Sequence, residues 1–384
     1  SKPITPGIVT DNLVLKHNYN AGSVVPVSDG AAFFDGSDDY IECGTTGLNP
    51  NSITVSTWVK FPGEDSSDSY ARIFEADGDE KSYHLRYDKS GNKFVVRLSS
   101  NGSDHTLCQG TAVVTSFAPW YHVAFTYNTS DGAIKLYVNG TLNATATHSG
   151  GGNLHVPSTL GVRIGQETNS TNNNWDGYIC NVGVWSSVLT QSQIKSIMNK
   201  NYAGLTSSEK TNLVSWWNLD SAYDIDDTTE STETTQYVFD NHHGGGNTLG
   251  SDVMVGGDMS SDSGWNLGSG WSISNGKLVC ETSSFNTAYK TTSGLTEGKL
   301  YKVTVDVATT NGNPLLVYLG EGHSGSVTTN VRGRTQTTGT NVFYLVAGAT
   351  NQIYFYAGSV SARWNGTIDN IIIQEVNGNH GVLS

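Results

Sequence analysis

Apolar and polar residues alternate with a period of two along much of the chain, the pattern of strands that bury one face. In the stretch 175–185 (WDGYICNVGVW), Tyr178, Cys180, Val182 and Val184 fall on one side. Ile179, Asn181, Gly183 and Trp185 fall on the other, so at least one face is apolar enough to bury. Just beyond, Thr190 and Gln193 have the spacing of a capping box, with Leu189 and Ile194 placed as a hydrophobic staple. The spacing predicts a helix of about two turns with Ile194, Ile197 and Met198 facing inward. Further strand-length runs at 300–307, 315–319, 342–346, 353–356 and 367–376 are separated by Gly, Asn, Ser and Thr turns. The expected fold class is all-β: two antiparallel β-sandwich domains, with one or two short helices at the end of the first.

Composition narrows the partners. The 384 residues allow two or three domains, and an excess of carboxylates gives a formal charge of -14. Lys and Arg are few and form no basic run, which argues against a nucleic-acid partner. Charge is sparse while Gly, Ser, Thr, Asn and Tyr abound, as suits a sandwich with many turns that works outside cells. No run approaches the roughly 20 apolar residues of a membrane helix, so no membrane insertion is expected. Nor does the start resemble a signal peptide: either a leader has been removed, or the chain leaves its cell by lysis, which Ser1-Lys2-Pro3, suited to removal of an initiator Met, favours. Cys43, Cys108, Cys180 and Cys280 are widely spaced, without a zinc pattern.

The segments 34–41 (FDGSDDYI), 53–61 (ITVSTWVKF), 120–125 (WYHVAF), 134–140 (IKLYVNG) and 162–165 (VRIG), ending in the 175–185 strand and its helix, follow one another in a family order. Together they resemble a laminin G-like, concanavalin A-like lectin domain, which implies a two-sheet jelly roll over 29–205. Gly257-Asp258-Met259 with Trp265 and Trp271 opens the later run, and 366–371 (GTIDNI) closes it. That unit, 252–376, is similar to the carbohydrate-binding modules of the cellulose- and xylan-binding jelly-roll type. Asp258 stands where those modules more often show Asn-Gly-Asp-Phe.

Three segments remain. Residues 1–28 carry Pro3, Pro6 and Pro26 around Leu13-Val14-Leu15 and read as an arm that docks on a neighbouring subunit or adds an edge strand to its own sandwich. Residues 206–251 open with a second capping pattern, Thr206 to Glu209, and the run 213–220 (LVSWWNLD), which resembles the start of a further lectin-like module. The acidic, Thr-rich stretch from Asp224 has no apolar periodicity and reads as a loop. Asp240-Asn241-His242-His243 is echoed by Asn379-His380-Gly381 in the tail, 377–384, so the unit between them reads as an insertion in a truncated module.

In both resembling families a structural calcium ties the first strand to the last. Carried over by position, its ligands are Asp35 with Asp176 in the first domain and Asp258 with Asp369 in the second; the competing reading is that these residues cap turns. Cys43 and Cys180 fall in neighbouring strands of that family fold, so a disulfide stands beside the alternative of free thiols. Asp38-Asp39 and 77–80 (DGDE) lack EF-hand spacing and read as solvated turns. His242, His243 and His380 would bind a transition metal only if partner ligands converged.

Sugar binding needs rings that stack on pyranose faces. Tyr354 and Tyr356 alternate with Ile353 and Phe355, so one pair faces away from the core, and Tyr318, Tyr344 and Trp364 are candidates to join the tyrosines. The competing reading places these rings inside the sandwich. Trp265 and Trp271 are expected in a loop near the opening strand. The alternating Glu-x-Asp-x-x-Glu pattern of concanavalin A-like glucanases is absent, as are Gly-x-Ser-x-Gly, His-Glu-x-x-His and a phosphate loop, so no enzyme is expected.

Taken together, these features resemble the accessory surface proteins of tailed bacteriophages. That implies a homo-oligomeric capsid fibre, decoration or tail-fibre protein at the virion surface, held to other virion proteins by the arm and presenting lectin-like domains to glycans. The alternatives are a calcium-dependent glycan-binding module or adhesin of a secreted bacterial protein, and a purely structural cement.

Overall fold

The computed structural model describes residues 28–383 except 29, 62–68, 78–81, 118, 150, 157–160, 169–170, 221–222, 225–235, 239, 244–248, 282–286, 312, 314, 321–331, 335–337 and 360–361. The arm, most of the acidic stretch and most of 77–80 lie outside the described residues. The chain is all-β, built of antiparallel sheets stacked as two sandwiches.

The first sandwich packs a seven-stranded sheet on a nine-stranded one. In the seven-stranded sheet Asp176–Trp185 is flanked on one edge by Ala32–Asp35 and on the other by Ile53–Lys60, followed by Tyr121–Tyr127, Ala133–Val138 and Thr141–Thr147. Val55, Val59, Val123, Phe125 and Ile179 pack with Phe74, Leu85 and Val96 of the second sheet in one buried apolar core. The capping box closes as expected: Thr190 accepts from the Gln193 amide and the Gln193 side chain accepts from the Thr190 amide, starting the helix Gln191–Ile197 with Ile194 and Ile197 buried. Met198 packs half-buried on the main core. Thr206 and Glu209 make the same reciprocal bonds, yet only a turn follows. Burial raises the Glu209 carboxyl, but hydrogen bonds from Lys200, Ser196 and Thr206 outweigh it and hold the group at about 2.

Leu213–Trp217, Gln236–Val238 and the tail strand do not start a separate module: they are built into the first sandwich, while Leu249–Asp252 already pairs with Gly366–Val376 in the second. Leu213–Trp217 pairs with the second half of Asp176–Trp185, sharing an edge with Ala32–Asp35. A lone strand cannot bury Trp216 and Trp217, and this edge buries both. In the nine-stranded sheet Gly381–Leu383 inserts between Gln236–Val238 and Ile41–Cys43. The two Asn-His segments meet there. Asp240 accepts from the amides of Trp216, His242 and Asn379, and Trp217 Nε1 donates to Asn379 O at 2.7 Å. The Asn379 amide group binds both Thr46 O and Ser215 Oγ. The second sandwich is therefore an insertion in the first.

That second sandwich stacks a six-stranded sheet containing Leu300–Thr309 and Gly366–Val376 on a five-stranded one, over Val303, Val305, Val317, Leu345, Ile353, Phe355 and their neighbours. Trp265 and Trp271 begin strands, Trp265–Leu267 and Trp271–Ser274, rather than lying in a loop. All four cysteines are buried free thiols; Cys43 and Cys180 sit in different sheets.

Two buried histidines make the first sandwich acid-sensitive. Burial pushes His122, which meets Ser56 Oγ at 2.8 Å, down to about 3. Burial and then the nearby Arg72, Arg86, Arg97 and His105 charges hold His84 well below its ordinary value. Below about pH 6.5 the unfolded chain takes up protons that the folded form refuses, so stability falls with acidity by about 1.4 kcal/mol per pH unit per histidine. Urea titrations at pH 7 and pH 5 should show the midpoint falling, and His84→Gln should flatten part of that slope.

Candidate functional site

The five-stranded sheet of the second sandwich runs Trp265–Leu267, Thr287–Thr291, Gln352–Tyr356, Leu316–Leu319 and Arg332–Arg334. Alternation sends Ala288, Val317, Leu319, Ile353 and Phe355 into the core. The register then aligns Asn266, Tyr289, Tyr354 and Tyr318 as direct neighbours across four strands on the opposite face. Tyr356 lies in the adjacent row, between Thr287 and Leu316.

The centre of this row is an aromatic platform. The rings of Tyr289 and Tyr354, both half-buried, lie 5.0 Å apart at an interplanar angle of 32°. Asn266 Nδ2 donates to the Tyr289 hydroxyl at 2.6 Å, and the Tyr354 hydroxyl donates to Gln352 Oε1. Two tilted π-faces rimmed by two side-chain amides offer apolar area for a C–H-rich ring and polar groups for its hydroxyls.

Of the aromatic candidates read from sequence, Tyr354 and Tyr356 share this face and remain accessible. Tyr318 is in the row but only 2% exposed. Trp364 is a core residue, fully buried and stacked on Trp271 with centroids 6.0 Å apart, so it offers no face to a ligand. Tyr344 is on the other sheet, opposite Lys302. Sequence reasoning missed Tyr289 and Asn266. The signal for Tyr289 was present in Thr287-Ala288-Tyr289-Lys290, where the small apolar Ala288 turns inward and its neighbour outward.

The carboxylates divide differently. Asp35 and Asp176 are register partners on adjacent strands. Asp38 and Asp39, read as a turn, join Asp35 so that oxygens of all three lie within 4.8 Å of one another. The loop is ordered by its own acids: Asp35 Oδ1 accepts from the Ser37 amide and Asp39 Oδ2 from the Asp35 amide, each at 2.8 Å. Burial, with repulsion from Asp35 and Asp38, raises the Asp39 carboxyl against the opposing pull of the Asp35 amide. Convergent hard oxygens that repel one another fit a calcium ion. The two candidates in the second sandwich bind other groups. Asp258 caps Ser260, with Lys290 adding a favourable charge, while Asp369 faces Lys277 at 3.4 Å.

Surface and core aromatics should separate cleanly on mutation. Tyr289→Ala and Tyr354→Ala should leave a cooperative unfolding transition near that of the wild type, whereas Trp364→Ala should cost about 3–5 kcal/mol. Calorimetry of the three variants checks this.

Residues 35–195 match the family model described as the Concanavalin A-like lectin/glucanases superfamily, of laminin G type. No curated protein matches the chain in sequence. Among solved structures, a candidate carbohydrate-binding protein from Bacteroides ovatus is similar over 54% of this chain and 54% of its own, at 23% identity and a TM-score of 0.39. The chain thus spans about half the length of that protein. A heptameric SAP-like pentraxin from Limulus polyphemus is similar over 46% of this chain and 84% of its own, at 20% identity and a TM-score of 0.36. The CBM40 module of a Ruminococcus gnavus IT-sialidase is similar over 44% of this chain and 97% of its own, at 14% identity and a TM-score of 0.38. At these identities the likeness concerns fold alone, and the stretch 35–195 is a concanavalin A-like, laminin G-like lectin domain in fold.

Proposed function

We propose that the chain is a non-catalytic glycan-binding protein whose second sandwich takes a pyranose on the Tyr289–Tyr354 platform. The observation that carries this reading is the paired, accessible rings with Asn266 and Gln352 at their hydroxyls. The lectin-type fold of the first sandwich supports the same class of ligand. A calcium ion held by Asp35, Asp38 and Asp39, with Asp176 on the adjoining strand, would order the loop where the first strand meets the last.

The setting we infer is the surface of a tailed-phage virion, with the chain as a homo-oligomeric fibre or decoration protein attached to other virion proteins through 1–28. What supports it is a lectin-like sandwich interrupted by a second sandwich, a pairing suited to multivalent contact. A secreted adhesin is the competing setting. Antibody labelling of purified particles in electron micrographs checks the choice: decorated virions are expected, and bare virions with the chain free in the medium would favour the adhesin.

Glycan arrays and calorimetric titration test the activity. Binding to at least one oligosaccharide is expected, weakened at least tenfold, or about 1.4 kcal/mol, by Tyr289→Ala or Tyr354→Ala. Undiminished binding in both variants would remove the platform from consideration. Chelation with EDTA should lower the melting temperature of the wild type but not of Asp35→Asn/Asp39→Asn.

A further inference from the structure

The outer face of the seven-stranded sheet is covered along only part of its length. The helix Gln191–Ile197 and the chain behind it seal one part, where Trp185, Ile194 and Trp216 pack together and Trp58 Nε1 donates to Met198 O at 2.8 Å. Past this cover no other described residue seals the same face, and Phe33 stands exposed on it. There the register aligns Phe33, Tyr178 and Lys60 as direct neighbours on three adjacent strands. Trp120 precedes the next strand, two residues before the outward-facing His122, and reaches the same row.

The result is a strip of rings. Phe33 is 51% exposed, although Phe34 beside it is buried in the core, so the pleat places one ring inside and presents the other. Phe33 and Tyr178 lie 5.0 Å apart at 51°, and Tyr178 and Trp120 lie 6.3 Å apart at 53°. Lys60 Nζ sits 6.0 Å from the Tyr178 centroid. One pleat repeat along the same two strands come Asp35 and Asp176, with Asp38 and Asp39 gathered at Asp35.

We propose that Phe33, Tyr178 and Trp120, with Lys60, form a second glycan site, on the first sandwich, for a short neutral pyranose chain. The rings take the C–H faces of the sugar and Lys60 donates to its hydroxyls. Even with a calcium ion held there, the four neighbouring aspartates outweigh the ion and Lys60 in charge and disfavour sulfated or carboxylated sugars, which selects a neutral ligand. Size selects an oligosaccharide over a protein. Four strands at about 4.8 Å spacing give a strip about 14 Å long, and a patch as wide as that, about 200 Å², is far short of the roughly 800 Å² per partner of a stable protein interface. The site is independent of the tyrosine platform, so one chain would hold two sites and gain avidity when both engage a branched or surface-bound glycan.

The test uses the full chain carrying Tyr289→Ala and Tyr354→Ala, titrated with neutral hexose and N-acetylhexosamine oligosaccharides and with acidic oligosaccharides of equal length. Residual binding to a neutral oligosaccharide is expected, with chemical-shift changes at the Trp120 indole. Adding Phe33→Ala should weaken that binding at least tenfold and leave the melting temperature unchanged, because the ring is exposed. The proposal is overturned by loss of all neutral binding in the Tyr289/Tyr354 variant, by binding that Phe33→Ala does not touch, or by preference for the acidic series. Self-association that disappears with Phe33→Ala while sugar binding persists would assign the strip to a second copy of the chain, and would also overturn it. Loss of all sugar binding in the Tyr289/Tyr354 variant would leave the platform of the second sandwich standing, so the two readings fail separately.

Discussion

A chain that leaves one sandwich, builds another and returns must close the first with residues that come from far along the sequence. Here the closure is a buried polar junction. The Asp240 carboxylate accepts from the Asn379 amide 139 residues away, and the Asn379 side chain ties together Thr46 and Ser215. Trp217, fully buried, completes it through Asn379 O. A buried carboxylate is tolerable only when its oxygens are saturated with donors, and three backbone amides supply them. The inserted sandwich can keep its own core because both of its connections are held at this one place.

Both candidate binding surfaces follow from a single rule applied twice. In a strand the residue beside a core side chain must point the other way, so Phe355 and Ile353 inside present Tyr354 and Tyr356 outside, and Phe34 inside presents Phe33. What differs is the cover. On the first sandwich the capped helix packs over Trp185 and Trp216 and its C-cap over Trp58, and among the described residues the end near Phe33 is left open. The charges near each surface also differ: amides rim the tyrosines, whereas aspartates and one lysine border the Phe33 strip.

The carboxylates show how far position alone carries. Asp35 and Asp176 meet because their strands are neighbours, and Asp38 and Asp39 join because a four-residue turn folds them back onto Asp35. In the second sandwich Asp258 caps Ser260 and Asp369 faces Lys277.

By itself the sequence determined the local elements: the alternating strands, the Thr190–Gln193 cap with its inward isoleucines, and the outward-facing Tyr354 and Tyr356. These depend on residues within a few positions of one another, where periodicity and capping act directly. Tertiary structure alone decided the rest. It assigned Leu213–Trp217 and Gly381–Leu383 to the first sandwich, placed Trp364 in the core against Trp271, and brought Tyr289 beside Tyr354 and Tyr178 beside Phe33. Those outcomes rest on which strand edges remain unpaired and on registers between distant segments, and no local pattern encodes either.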